Sequence, residues 1–114
     1  MLCETPGQVY LAVGFTDMRK SINTLSILVE QAMGLNPFSG DLFVFCNRNQ
    51  TILKILYWQG NGFCLWQKRL EKDRFFWPKS ADEVVRIGRQ ELQWLLAGLD
   101  FGSAHKRLRY SIAA

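Results

Sequence analysis

A single histidine, His105, and three widely spaced cysteines, Cys3, Cys46 and Cys64, leave this 114-residue chain poor in the groups that make metal centres and nucleophilic sites. There is no C-x-x-C pair and no His/Cys/Glu grouping of the kind that holds zinc. An odd number of cysteines builds no disulfide framework. Cys46 and Cys64 fall inside apolar runs, where a free thiol behaves as a small buried hydrophobe. No Ser or Cys has a local base to activate it, and no Gly-x-x-x-x-Gly-Lys loop offers a phosphate cradle. Asp17, Asp41, Asp73, Asp82 and Asp100 are scattered over turns and helix ends, whereas two-metal chemistry needs clustered carboxylates. Long apolar runs are also lacking: none approaches the roughly 20 residues of a membrane span. The opening Met1-Leu2-Cys3-Glu4-Thr5-Pro6 has none of the layout of a signal peptide, so a cytoplasmic protein without membrane contact is expected. These absences point away from catalysis, cofactors and metals, and toward binding.

What is present is an ordinary globular composition, 48% hydrophobic and 21% charged. The length suits one domain with one core. The formal charge of +4 is unevenly placed. Residues 1–47 hold two basic and four acidic side chains, whereas residues 48–79 hold seven basic and two acidic ones. The tail from Lys106 adds three more cations. Such asymmetry favours an anionic partner, of which nucleic acid is the usual one.

Residues 8–13 are short, apolar and β-rich, and predict a strand ended by Gly14. Thr16 or Asp17 then caps a helix whose stripe is Ile22, Leu25, Leu28, Val29 and Ala32, with Gly34 placed to stop it. After the turn cluster Asn36-Pro37-Phe38-Ser39-Gly40 the period becomes two. Residues 42–46, 51–58 and 63–70 are predicted strands, and Phe75-Phe76-Trp77 a short edge strand stopped by Pro78. Leu92, Leu95, Leu96 and Leu99 mark a last helix from about Gly88 to Ala97. The expected fold is α+β: an antiparallel β-meander packed against two helices in two layers, as a single compact domain over residues 1–104, with a flexible basic tail over 105–114.

Asn61-Gly62 at the centre of a type I′ turn sets Lys54 opposite Arg69, Tyr57 opposite Trp66 and Trp58 opposite Leu65. Opposed like charges destabilise a sheet unless an anion or solvent lies over them. A turn on Gly60-Asn61 instead dissolves that pair. The basic face therefore has two readings. One is a phosphate-facing ridge of Lys54, Gln67 and Arg69 with Arg48, Lys72 and Arg74 from the flanking turns. The other is a solvated face whose lysines discourage edge-to-edge association. Nine of the fifteen aromatics lie within residues 43–77 among these cations. At strand period, Trp58, Trp66 and Trp77 suit a core or an interface better than base stacking. Arg19 and Lys20 either reach a phosphate or an acidic partner, or Arg19 pairs with a carboxylate of the chain itself; at a helix start they oppose the dipole.

Blocks along the chain carry a family resemblance. Val9-Tyr10-Leu11-Ala12 followed by Thr16-Asp17-Met18-Arg19-Lys20 resembles the opening of the TnpB-type accessory protein, the second open reading frame, of the sixty-six family of bacterial insertion sequences. This family is unrelated to the RNA-guided nucleases that share the TnpB label. The likeness continues through Asn36-Pro37-Phe38-Ser39-Gly40-Asp41-Leu42-Phe43-Val44-Phe45, Lys54-Ile55-Leu56-Tyr57-Trp58 and Gly60-Asn61-Gly62-Phe63. It reaches Lys68-Arg69-Leu70-Glu71, Arg74-Phe75-Phe76-Trp77-Pro78 and Leu95-Leu96-Ala97-Gly98-Leu99-Asp100. Ser21, Asn23 and Thr24 depart from it at the first helix start. The resemblance implies a non-catalytic accessory role in transposition beside a separate DDE-type transposase, and brings no catalytic residues with it. Two functions follow as expectations. One is weakly specific DNA binding, with Arg19, Lys20, Arg48, Lys54, Lys68, Arg69, Lys72 and Arg74 as the contacting residues. The other is an adaptor that docks on the transposase or on another accessory protein through an aromatic face or a sheet edge, without touching DNA.

Overall fold

The computed structural model describes residues 7–78 and 85–99. The order of elements is β1 (Val9–Leu11), α1 (Ile22–Gln31), β2 (Leu42–Cys46), β3 (Ile52–Gln59), β4 (Gly62–Arg69), β5 (Val85–Ile87) and α2 (Arg89–Leu96). The strands form one sheet in the order β4-β3-β2-β1-β5. The α+β class is as expected, and β2–β3–β4 is the antiparallel meander. The sheet as a whole is mixed, because β1 runs parallel to β2 with α1 as the crossover between them. Strand β5 closes the far edge antiparallel to β1.

The packing has three layers rather than the expected two. Leu25 and Val29 of α1 cover one face over Phe43, Phe45 and Leu56. Leu92, Leu95 and Leu96 of α2 cover the other, over Val9, Leu11, Val44, Leu53, Ile55 and Tyr57. Alternation along β3 explains how both faces are served: Leu53, Ile55 and Tyr57 point one way and Leu56 the other. Strand β2 is buried at all five residues, as a central strand under two layers must be.

Three local expectations are corrected. The first helix starts later, on Ser21, whose Oγ accepts the Thr24 N–H, and neither Thr16 nor Asp17 caps it. Asp17 instead accepts from the Arg19 N–H and pairs with its guanidinium, a local turn that competes with helix. Phe75-Phe76-Trp77 is not a strand. Its burial alternates in, out, in, yet among the described residues its backbone bonds only to Gln50, and the short edge strand is Val85–Ile87. The third correction is the hairpin register. Gln59 pairs with Gly62, so Gly60-Asn61 is the turn, with Gly60 at φ +63 and Asn61 outside the left-handed region, the pattern of a type II′ turn. Lys54 then faces Gln67, Arg69 faces Ile52, Tyr57 faces Cys64 and Trp58 faces Phe63. The slip of two residues keeps every side chain on its face. It removes the opposed cations, a favourable change, and exchanges the expected Tyr57–Trp66 pair for the aromatic pair Trp58–Phe63.

The second helix spans the expected residues; its Glu91 Oε1 accepts the Gly88 N–H at 2.8 Å, one arm of a capping box, and is buried beside the positive helix end. Gly34 does follow the first helix in left-handed conformation, at φ +67, with the Leu35 N–H turned back to the Val29 carbonyl. The expected basic tail and His105 lie outside the described residues, and no helix among those described is long and apolar enough to cross a membrane.

Candidate nucleic-acid interface

Strand directions gather three connections at one end of the sheet. Strands β1, β2 and β4 finish there and β3 begins there. The loop after β1, the β2–β3 turn and the segment after β4 are therefore neighbours, and hydrogen bonds tie them together. The Thr16 N–H donates to the Cys46 carbonyl at 2.8 Å, and the Gly14 N–H to the Pro78 carbonyl at 3.2 Å. The buried Trp77 ring donates its Nε1–H to the Gly14 carbonyl at 2.7 Å. Gln50 is held from two sides: its carbonyl accepts the Phe75 N–H at 2.7 Å and its Nε2 donates to the Phe75 carbonyl at 2.9 Å. Asn47 shapes the same turn, its Oδ1 accepting from the Thr51 and Ile52 N–H groups. Gln50 is held there at φ +62, a conformation uncommon for a non-glycine residue.

This end carries six of the eight cations singled out from sequence: Arg19, Lys20, Arg48, Arg69, Lys72 and Arg74. Arg19 is bound to Asp17 at 2.8 Å and Arg69 to Glu71 at 3.2 Å, both as exposed surface pairs. The Arg19 guanidinium holds the Asp17 carboxyl well below the usual carboxylate range. Exposed pairs of this kind contribute little and exchange readily with other anions. Arg48 lies 5.6 Å over the Phe15 ring, a cation–π contact that leaves its charge at the surface. Lys20, Lys72 and Arg74 form no ion pair with a described residue.

The other two cations do not belong to the cluster's surface. Lys54 donates from Nζ to the Met18 carbonyl at 2.7 Å, pinning the loop before α1 onto the sheet. Lys68 donates from Nζ to the Leu96 carbonyl at 2.7 Å, at the negative end of α2. The ridge built on Lys54 and Arg69 as facing residues is therefore overturned. In its place stands a basic end assembled from three loops.

The opposite end, where α1 finishes and β5 leads into α2, mixes both signs among the described residues, with Glu30, Asp41, Arg89 and Glu91; the Asp41 carboxylate accepts from the Gln8 N–H and the Ser39 hydroxyl. The same end holds a triangle of rings, Phe38, Trp58 and Phe63, with centroids 5.0–5.2 Å apart. Phe38 is 54% exposed. Sequence reasoning passed over Phe38; the signal was a large apolar residue inside a polar turn cluster. Trp77, expected in a core or an interface, is core. Among the described residues no three His, Cys, Asp or Glu side chains come together as a metal site would need.

The molecule is thus a small α+β domain with a basic end and an aromatic end. Residues 7–106 match the family described as IS66 Orf2 like protein, and the chain belongs to that family of insertion-sequence accessory proteins. It is 39% identical over 94 residues to the uncharacterized protein y4hO of Sinorhizobium fredii, a match covering 82% of each chain. It is 34% identical over 94 residues to the uncharacterized protein y4jC of the same organism, covering 82% of this chain and 80% of the relative. No solved structure matches.

Proposed function

We propose that this protein is a non-catalytic accessory factor of transposition, soluble in the cytoplasm, that grips DNA phosphates with its basic end. The observation that carries the reading is the convergence of Lys20, Arg48, Lys72 and Arg74, from three loops, at one end of a rigid sheet without carboxylate partners among the described residues. Contacts from these four cations to phosphates give affinity with little sequence preference, because the phosphate backbone is the same in every sequence. If all four neutralise phosphates, affinity falls about 100-fold between about 50 and 200 mM salt, from a slope near −0.9 per contact. Anisotropy titrations on element-end duplexes measure that slope, and its absence in the wild-type protein rejects the reading. Arg48→Ala, Lys72→Ala and Arg74→Ala together flatten the slope by about 3.

The exposed Phe38 ring supports a second contact, docking of the element's transposase on the aromatic end. Phe38→Ala is then expected to reduce retention of the transposase in a pull-down while leaving DNA affinity intact. Unchanged retention removes the aromatic end from consideration.

A further inference from the structure

Strand β4 is one edge of the sheet, eight residues long, with no proline and in unbroken one-to-one register with β3. The Leu70 N–H donates to the Thr51 carbonyl, so Leu70 and, by alternation, Lys68, Trp66, Cys64 and Gly62 turn their backbone groups toward β3. Phe63, Leu65, Gln67 and Arg69 turn theirs outward. None of those four N–H and four C=O groups is bonded to a described backbone group. An edge this long, apolar from Phe63 to Trp66 and without a described backbone partner, is a template for another strand unless charge or proline blunts it. The lysines expected to do so are elsewhere: Lys54 is on an inner strand and Lys68 is drawn to the end of α2.

We propose that the occupant is a second copy of this chain, pairing β4 with β4 antiparallel about a two-fold axis normal to the sheet. The choice of occupant rests on self-complementarity. The axis keeps each side chain on its own face, so facing residues must share parity. Among the allowed registers, the one that centres Trp66 on the partner's Trp66 pairs Phe63 with Arg69 and Leu65 with Gln67. In that register all eight outward groups are bonded; a shift of two residues in either sum leaves an end residue out. It also places no cation opposite a cation: Arg69 lies beside the Phe63 ring and Lys68 opposite Cys64, while the two Trp66 rings meet at a close-spaced pair. The result is a continuous ten-stranded sheet whose two basic ends point in opposite directions.

The test needs no DNA, so its outcome is separate from that of the phosphate reading. Light scattering on the full chain is expected to give twice the 13.2 kDa of one copy. Gln67→Pro removes an outward N–H without touching the β3 ladder, a place where an edge strand accepts proline. It is expected to give the single-chain mass with unchanged circular dichroism. In a Cys3→Ser, Cys64→Ser background, Trp66→Cys is expected to form a disulfide-linked dimer on mild oxidation at least tenfold faster than Leu65→Cys. That readout stands if Gln67→Pro does not fold. A single-chain mass for the wild type at every concentration overturns the proposal. So does faster cross-linking through Leu65→Cys, which belongs to the register centred one residue earlier.

Discussion

A cation in the sequence is not a cation on the surface, and Lys54 and Lys68 show why. Each lies at a strand position where the side chain runs along the sheet to a backbone carbonyl, of Met18 and of Leu96. No sequence pattern announces such long-range partners, whereas clustering in loops, as for Lys72 and Arg74, is visible from composition. Lys54→Met and Lys68→Met are each expected to lower stability by about 1–2 kcal/mol, because a carbonyl loses a charged donor. Neither should alter the salt slope of DNA binding; urea unfolding and anisotropy on the same preparations check both halves. Cys46, by contrast, was legible as a buried thiol from its apolar run, and it is fully buried in β2. Burial pushes its thiol up to about 12 from an ordinary 9.0. The folded state therefore holds the proton more tightly than the unfolded chain. Stability from this group is complete below about pH 9 and is lost as pH rises toward 12. Urea midpoints should fall between pH 9 and pH 11 by less in Cys46→Ala, compared with its own midpoint at pH 7, than in the parent.

At the scale of elements, periodicity carried most of the information. The α1 stripe, the β2–β4 meander and the α2 stripe were legible because each buries a face with a regular spacing. Strand β5 was not, since three residues carry no period and its partner β1 is distant in sequence. Segment 75–77 has the burial rhythm of a strand without a ladder, so its pattern reports Phe75 and Trp77 filling the core and nothing of backbone pairing. The hairpin register was ambiguous for a different reason: both turns keep the faces, and only the cross-strand pairs distinguish them. Glycine substitutions separate the two turns. Gly60 has φ +63 with open space around it, so Gly60→Ala meets only backbone strain, at a cost of about 1–2 kcal/mol. Gly62 has ordinary backbone angles and equally open space, and Gly62→Ala is expected to be neutral or slightly stabilising. The reverse order in thermal unfolding would restore the Asn61-Gly62 turn.

For the whole molecule, direction along the strands matters more than total charge. Cations sit where β1, β2 and β4 finish, and rings where β3 turns into β4. Sequence numbering scatters both sets, since Arg19 and Arg74 come to the same end of the sheet only through the parallel β1–β2 pairing and the Gln50–Phe75 bonds. A pairing of β4 edges would turn this polarity into a bridge, because antiparallel strands send the two basic ends away from each other. One dimer then holds two duplexes, whereas a single chain holds one. With one duplex on beads and a second carrying a fluorophore, wild-type protein is expected to retain the second duplex at low salt and release it as salt rises. Gln67→Pro should bind either duplex with the salt slope of the parent, yet leave the bead-free duplex in solution. Loss of retention together with loss of binding would assign the effect to misfolding. Retention by a variant that is a single chain in solution would show that bridging does not need the β4 edge, and would place both duplexes on one basic end.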